Sequence, residues 1–227
     1  ARELRSAAQI YQPNFIVGEL DGPATLETRN LNSLDIDWES MRASVRLASP
    51  QPERISVEGE QVSVRLDEAG ATSPLLAHAG HAELHTRPTG EGFDLALRFS
   101  DLHLGESLVG TGVMPLLAGL ADMQVTDWAP GWRGASVRIR NLTLSIGEGD
   151  GGVSVTGPVE VGEDGLIDAE LRVTLRNPQA LAKVLGDLFP QQRREIEMSL
   201  SGLALMGDAP SMPLRIVDGE ASLGFLT

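Results

Sequence analysis

The sequence predicts a mainly β protein: a long curved antiparallel sheet, forming a groove or an open barrel or sandwich, with about two short helices. Three observations carry that expectation. Apolar residues alternate with polar ones over long stretches, which is the period of a strand with one buried face. Several stretches break at a polar residue or a glycine and then resume in the opposite phase. Runs with the helical period are scarce.

Residues 1–9 suit a short helix or a frayed tail. Leu34, Ile36 and Trp38 alternate, and after a slip at Glu39 and Ser40 the phase passes to Met41, Ala43, Val45 and Leu47. In "ISVEGEQVSVRL", Ile55 and Val57 precede Gly59, and Val62, Val64 and Leu66 follow in the other phase. Residues 73–80, "SPLLAHAG", suit one turn of helix or a loop. "FDLALRFSDLHL" carries Phe93, Leu95, Leu97 and Phe99, then Asp101, then Leu102 and Leu104. Residues 115–123, "PLLAGLADM", are apolar nearly all round and read as a weak helix.

"VRIRNLTLSI" shows the break most plainly. Val137 and Ile139 alternate with Arg138 and Arg140; Asn141 intervenes; Leu142, Leu144 and Ile146 continue in the opposite phase. "GEGDGG" (147–152) is a turn into Val153. Val153, Val155, Val159 and Val161 then alternate cleanly, as do Ile167, Ala169, Leu171, Val173 and Leu175, with "GEDG" (162–165) as the hairpin loop between them. The strongest helix is 178–189. Asn177 suits the N-cap, Pro178 the first helical position, and Leu181, Val184, Leu185, Leu188 and Phe189 form one stripe ended by Pro190. "IEMSLSGLALM" reads as a further broken strand: Ile196, Met198 and Leu200, then Gly202, then Leu203 and Leu205.

An inserted residue restores the buried face of a strand, so a β-bulge explains each break. A strand that crosses from one sheet to another at a corner is the alternative. The count is about ten to twelve strands in one domain, residues 1–227, with no Pro-, Ser- or Gly-rich linker. Two helices of three turns, each ~15–18 Å long, cannot cover ten strands spaced ~4.8 Å apart. The sheet must either close on itself or curl into a groove that holds something apolar.

The formal net charge is −14, so nucleic acid is an improbable partner and attraction to anionic headgroups is disfavoured. Without cysteine there are no disulfides, Cys-ligated zinc or thiol catalysis. No apolar run reaches the ~18 residues of a membrane span. Lys183 is the only lysine, and no functional conclusion is drawn from that.

His78, His81 and His85 form the one cluster of ligand-like residues. His81, Glu83 and His85 share a face on a strand, which makes a His₂-carboxylate metal site, and with it a metal-dependent hydrolase, conceivable. The plainer alternative, a solvated strand face with Ala82 and Leu84 inward, is preferred, and no metal ligand is assigned. Asp35, Asp37 and Glu39 read as an exposed acidic face without the loop of a calcium site. Gly147, Gly149 and Gly152 match a dinucleotide fingerprint by letters only, since Glu148 and Asp150 repel a pyrophosphate and a strand follows. No nucleophile elbow is present, and "GESLVG" has the wrong spacing. No enzymatic activity and no cofactor are expected. Trp128 and Trp132 flank a Pro-Gly turn and suit partner binding or an interfacial anchor, or else rings packed over the sheet edge.

"AAQIYQPNFIVGELDGP" (7–23), "WESMRASVRL" (38–47), "HAELHTRP" (81–88), "LRNPQAL" (175–181) and "VDGEASLG" (217–224) resemble the bacterial family designated domain of unknown function 2125. The resemblance implies a periplasmic protein of the cell envelope, tethered to the inner membrane. It also implies an N-terminal anchor and a Gly-Phe-Pro-Phe-type segment, both absent here, so a fragment lacking the anchor and first strands is expected. The bent amphipathic strands are similar in pattern to the AsmA-like group, whose curled sheets are associated with lipid transfer.

The expected function is therefore non-enzymatic: binding of a lipid or acyl chain, in lipid transport or envelope maintenance. The expected lining is Leu95, Leu97, Phe99, Val137, Ile139, Leu171, Val173, Leu175, Ile196, Met198 and Leu200, with the helix 178–189 closing one end. The rival is a scaffold with a closed β core whose edges or tryptophan loop bind an envelope protein.

Overall fold

The computed structural model describes residues 4–9, 12–28, 31–48, 51–67, 74–109, 114–128, 132–147 and 151–223. Eight strands come first: β1 (Leu4–Gln9), β2 (Gln12–Leu20), β3 (Ala24–Thr28), β4 (Leu31–Asp37), β5 (Ser40–Ala48), β6 (Gln51–Asp67), β7 (Leu75–Pro88) and β8 (Gly92–Leu104). After the short α1 (Glu106–Val109) come β9 (Leu117–Thr126), β10 (Ser136–Ile146), β11 (Gly152–Val161) and β12 (Ile167–Arg176). The helices α2 (Pro178–Leu188) and α3 (Arg193–Ala204) precede β13 (Ser211–Val217) and β14 (Glu220–Leu223).

The strands belong to one open antiparallel sheet that is not closed into a barrel; β1 and β14 end its hydrogen-bonded order. The chain forms two compact units, residues 1–87 with 97–118 and residues 88–96 with 119–227. In the first, the order is β1-β2-β5-β6-β7 and then the C-terminal part of β8. β4 also flanks β6, beyond the end of β5, and carries β3. In the second, the N-terminal part of β8 is followed by β9 to β14 in sequence order.

The phase changes of the sequence are local distortions, and in the first unit they line up across neighbouring strands. β4 and β5 are two halves of one bent strand along β6, with Asp37 opposite Ser63 and Ser40 opposite Glu60. The break at Trp38 and Glu39 faces Gln61, which sits at φ 53°. On the other side of β6, Glu60 opposes His81 and Val62 opposes Ala79, which places Gln61 against Gly80. A Cβ on Gly80 would lie 3.0 Å from Cβ of Asp101, itself at φ 52°. Inward residues switch accordingly. On β8, Leu97 and Phe99 are half-buried before Asp101 and Leu102 and Leu104 after it, with Arg98, Asp101 and His103 exposed.

The break at Asn141 is a bulge. Ile139 opposes Gly157 and Leu142 opposes Val155, so Arg140 and Asn141 together face one residue of β11. Gly157 adopts φ 139°, and a Cβ there would collide with the carbonyl oxygen of Glu170. Arg140 anchors the bulge from its polar side. Its guanidinium donates to Asp122 at 2.7 and 3.0 Å and to Asp94 at 2.9 Å, which raises the Arg140 pKa further.

Four sequence expectations are corrected. Within residues 115–123 the chain enters strand β9 at Leu117 rather than forming a helix. A run apolar on both sides also suits a strand shielded on both faces, and Leu117, Ala121 and Val125 are buried there. "IEMSLSGLALM" is not a broken strand, because residues 193–204 are α3. Ile196, Met198 and Leu200 fit the strand period, but Ile196, Leu200 and Leu203 fit the helical spacing, and the run is rich in helix formers. The segment 73–80 contributes to β7 from Leu75, and residues 4–9 are β1. In α2 the expected start holds, since the Asn177 side chain accepts from the Ala180 amide at 3.2 Å and Pro178 opens the helix; of the expected stripe Leu181 is buried, Val184, Leu185 and Leu188 are half-buried, and Phe189 is the exposed C-cap.

Substituting Gly157 by alanine should lower stability by about 1–3 kcal/mol, because φ is unfavourable and the Cβ has no room. Asp101→Val should cost about 1–2 kcal/mol more than Asp101→Gly, since a β-branched residue resists the left-handed region. Urea midpoints at unchanged slope measure both effects.

Candidate functional site

Two faces of the sheet concentrate chemistry, one aliphatic and one polar. In the second unit, cross-strand registers stack the aliphatic side chains into rows. One runs Val137, Val159, Ala169, Ile216; another runs Leu142, Val155, Val173, Met212; a third runs Leu144, Val153, Leu175. Between them lie Ile139, opposite Gly157, and Leu171, opposite Leu214. Ala169 is buried, but none of the large side chains in these rows is; most are half-buried and Leu142 is 37% exposed. Cross-strand packing holds each row together.

Five of the expected lining residues meet here: Val137, Ile139, Leu171, Val173 and Leu175. Leu95 is half-buried on β8 in the same unit, whereas Leu97 and Phe99 belong to the first unit. Ile196, Met198 and Leu200 sit on α3 and not on a strand of the sheet, with Met198 69% exposed. Trp128 and Trp132 are about half exposed, at 52% and 49%. Their rings pack edge-on at 6.4 Å, and Trp128 packs likewise on Phe93 at 6.1 Å. Residues 129–131 between them lie outside the described residues, as do 148–150 of the "GEGDGG" turn.

The polar face of the first unit gathers His81 with carboxylates from two strands. His81 Nδ1 lies 2.8 Å from Glu60 Oε1, and its Nε2 lies 2.8 Å from Glu83 Oε1. His85 Nε2 approaches Glu83 Oε2 at 3.4 Å. Both His81 nitrogens must carry hydrogen to donate to carboxylates, so the arrangement favours the imidazolium. Hydrogen bonds to Glu83 and then Glu60 hold the His81 pKa above its ordinary 6.5. Hydrogen bonds from His81 and then His85 hold Glu83 below its ordinary 4.5. His78 takes no part and lies opposite Ser63. Glu58 and Glu60, on β6, complete the cluster; sequence spacing could not reveal them, because only the strand register brings them beside His81.

A long open antiparallel sheet, with aliphatic rows in one unit, a carboxylate–histidine cluster in the other and a helical hairpin, defines the class of this protein. More particularly, the chain belongs to the family of uncharacterized proteins conserved in bacteria, DUF2125, whose model matches residues 1–227. No curated protein matches the sequence.

The His81 cluster sets a pH dependence. A raised histidine pKa contributes stability that is complete below the unfolded value near 6.5 and lost as pH rises through the folded value. A lowered glutamate pKa contributes stability that is complete above 4.5 and lost as pH falls through the folded value. The stability difference between wild type and His81→Gln should therefore be largest between these two limits and shrink on either side. Urea denaturation across pH reads it, and a flat difference would show that the pair does not form.

Proposed function

We propose that this protein is a non-enzymatic domain that binds a lipid or acyl chain along the aliphatic face of β10 to β13. The observation that carries this reading is the set of in-register aliphatic rows whose large side chains remain half-exposed. At about 25 cal/mol per Å² of apolar area, such a face gains from any chain that excludes water from it. A lone exposed leucine needs no explanation, but contiguous rows do. The rows hold no charged side chain, so contact would be with methylenes rather than with a headgroup.

The proposed setting is the cell envelope: the periplasm, with tethering to the inner membrane by a segment outside this chain. Among the described residues no helix is long and apolar enough to cross a membrane. Bent amphipathic sheets of the AsmA-like kind offer the analogy for lipid transport or envelope maintenance, and that analogy is one of pattern.

A second reading, a scaffold that binds an envelope protein, rests on the α2–α3 hairpin. Phe189, Met198, Leu205 and Met206 are all exposed there, Leu205 to 90%. The tryptophan pair would serve the same role.

Displacement of a fluorescent fatty acid from the intact chain, by phospholipid and by free fatty acid, tests the acyl-binding reading. Val173→Arg and Leu171→Arg should each weaken probe binding by at least about tenfold, ~1.4 kcal/mol, while far-ultraviolet dichroism stays native. Unchanged binding in both variants would overturn it. Unfolding of both would mark the face as a closed core and favour the scaffold.

A further inference from the structure

We propose that Glu58, Glu60 and His81 form a binding site for a divalent transition-metal ion of the Zn²⁺ type on the polar face of the β6–β7 ladder. One ligand atom from each residue lies within 4.8 Å of the other two. Ligands held at ~2.0–2.1 Å from tetrahedral zinc lie roughly 3.3 Å apart, so small side-chain rotations on an exposed face close the site. One nitrogen and two carboxylates suit zinc or its neighbours better than magnesium or calcium, which prefer oxygen alone.

The surroundings of His81 are those of a metal ligand. Glu83 accepts from Nε2 at 2.8 Å and fixes the ring with Nδ1 on Glu60, at 2.8 Å. A carboxylate on the far nitrogen orients a ligating histidine and makes it more basic. Glu83 is in turn approached by His85. A metal ion would take the place of the proton now shared between Nδ1 and Glu60.

Charge points the same way. Glu58 and Glu83 stand directly opposite each other across the ladder, an arrangement of like charges that destabilises a sheet. Glu58 has no hydrogen bond or ion pair among the described residues. Arg42, which opposes Glu58 on β5, approaches Glu19 instead, at 3.8 Å. The negative charge that remains is placed where a dication would lie.

Calorimetric titration of the intact chain with ZnCl₂ at neutral pH tests the site. One equivalent should bind. His81→Gln and Glu60→Gln should each weaken binding at least about tenfold, and Glu83→Gln, which removes only the orienting carboxylate, by roughly 10–100-fold. His78→Gln, on the same strand but away from the cluster, should leave the affinity unchanged. These side chains are solvent-facing, so the variants stay folded, which dichroism checks. Absence of saturable binding, or equal affinity in wild type and His81→Gln, would overturn the proposal. So would a loss in His78→Gln as large as that in His81→Gln.

Discussion

The structure depends on one constraint. A strand shows alternate residues to opposite sides, so a long strand that bends must not let its apolar side drift into water. This chain meets the constraint by distorting neighbouring strands at the same level. Gln61, Gly80 and Asp101 fall abreast on β6, β7 and β8, beside the break between β4 and β5. Because each strand carries its distortion at the same height, the β6–β7 register is the same on both sides of it. A lone bulge would have left one strand facing the wrong way against unshifted neighbours. The left-handed φ of Gln61 and Asp101 is a local strain held by the ladder around it.

The second unit solves the same problem differently. β10 takes an extra residue while β12 and β13 alternate without interruption. Gly157 absorbs the mismatch, since a bulge on one side and a regular ladder on the other leave no room for a side chain between Ile139 and Leu171. The ion network of Arg140 with Asp94 and Asp122 lies on the opposite, polar side. Its groups are partly exposed, so it acts more by fixing geometry than by adding stability. Both devices serve one result: aliphatic side chains from four adjacent strands meet in rows.

Much of this was legible in the sequence. The clean alternation from Ile167 to Leu175 could only be a strand with one apolar side, and Asn177-Pro178 marked the start of α2 by residue chemistry alone. The phase changes named the breaks within a residue or two. What failed did so where two periods coincide. Ile196, Met198 and Leu200 satisfy a strand, while Ile196, Leu200 and Leu203 satisfy a helix, and packing against α2 decides between them. Residues 115–123 failed for another reason: a run apolar on both sides has no phase to read. The polar cluster was half visible. His81, Glu83 and His85 share a strand, but Glu58 and Glu60 join them only through register, which depends on where a neighbouring strand is seated.

The two faces also separate the charge. With a net charge of −14, the acids must go somewhere, and period-two alternation sends Glu58, Glu60 and Glu83 to the side opposite Val57 and Leu84. Crowding carboxylates across a ladder costs stability, so their placement is informative wherever it is not forced. A serine or threonine at position 58 would keep the strand solvated and relieve the repulsion from Glu83. The cost is offset in part by His81, whose imidazolium joins Glu60 and Glu83 into one chain of hydrogen bonds and lies near Glu58 without a hydrogen bond to it. A face built only for solubility would have paired its charges across strands, as Arg42 and Glu58 are positioned to do and do not. A carboxylate with no hydrogen bond or ion pair among the described residues, beside an oriented histidine, is thus the feature of the polar side that solvation alone leaves without a cause.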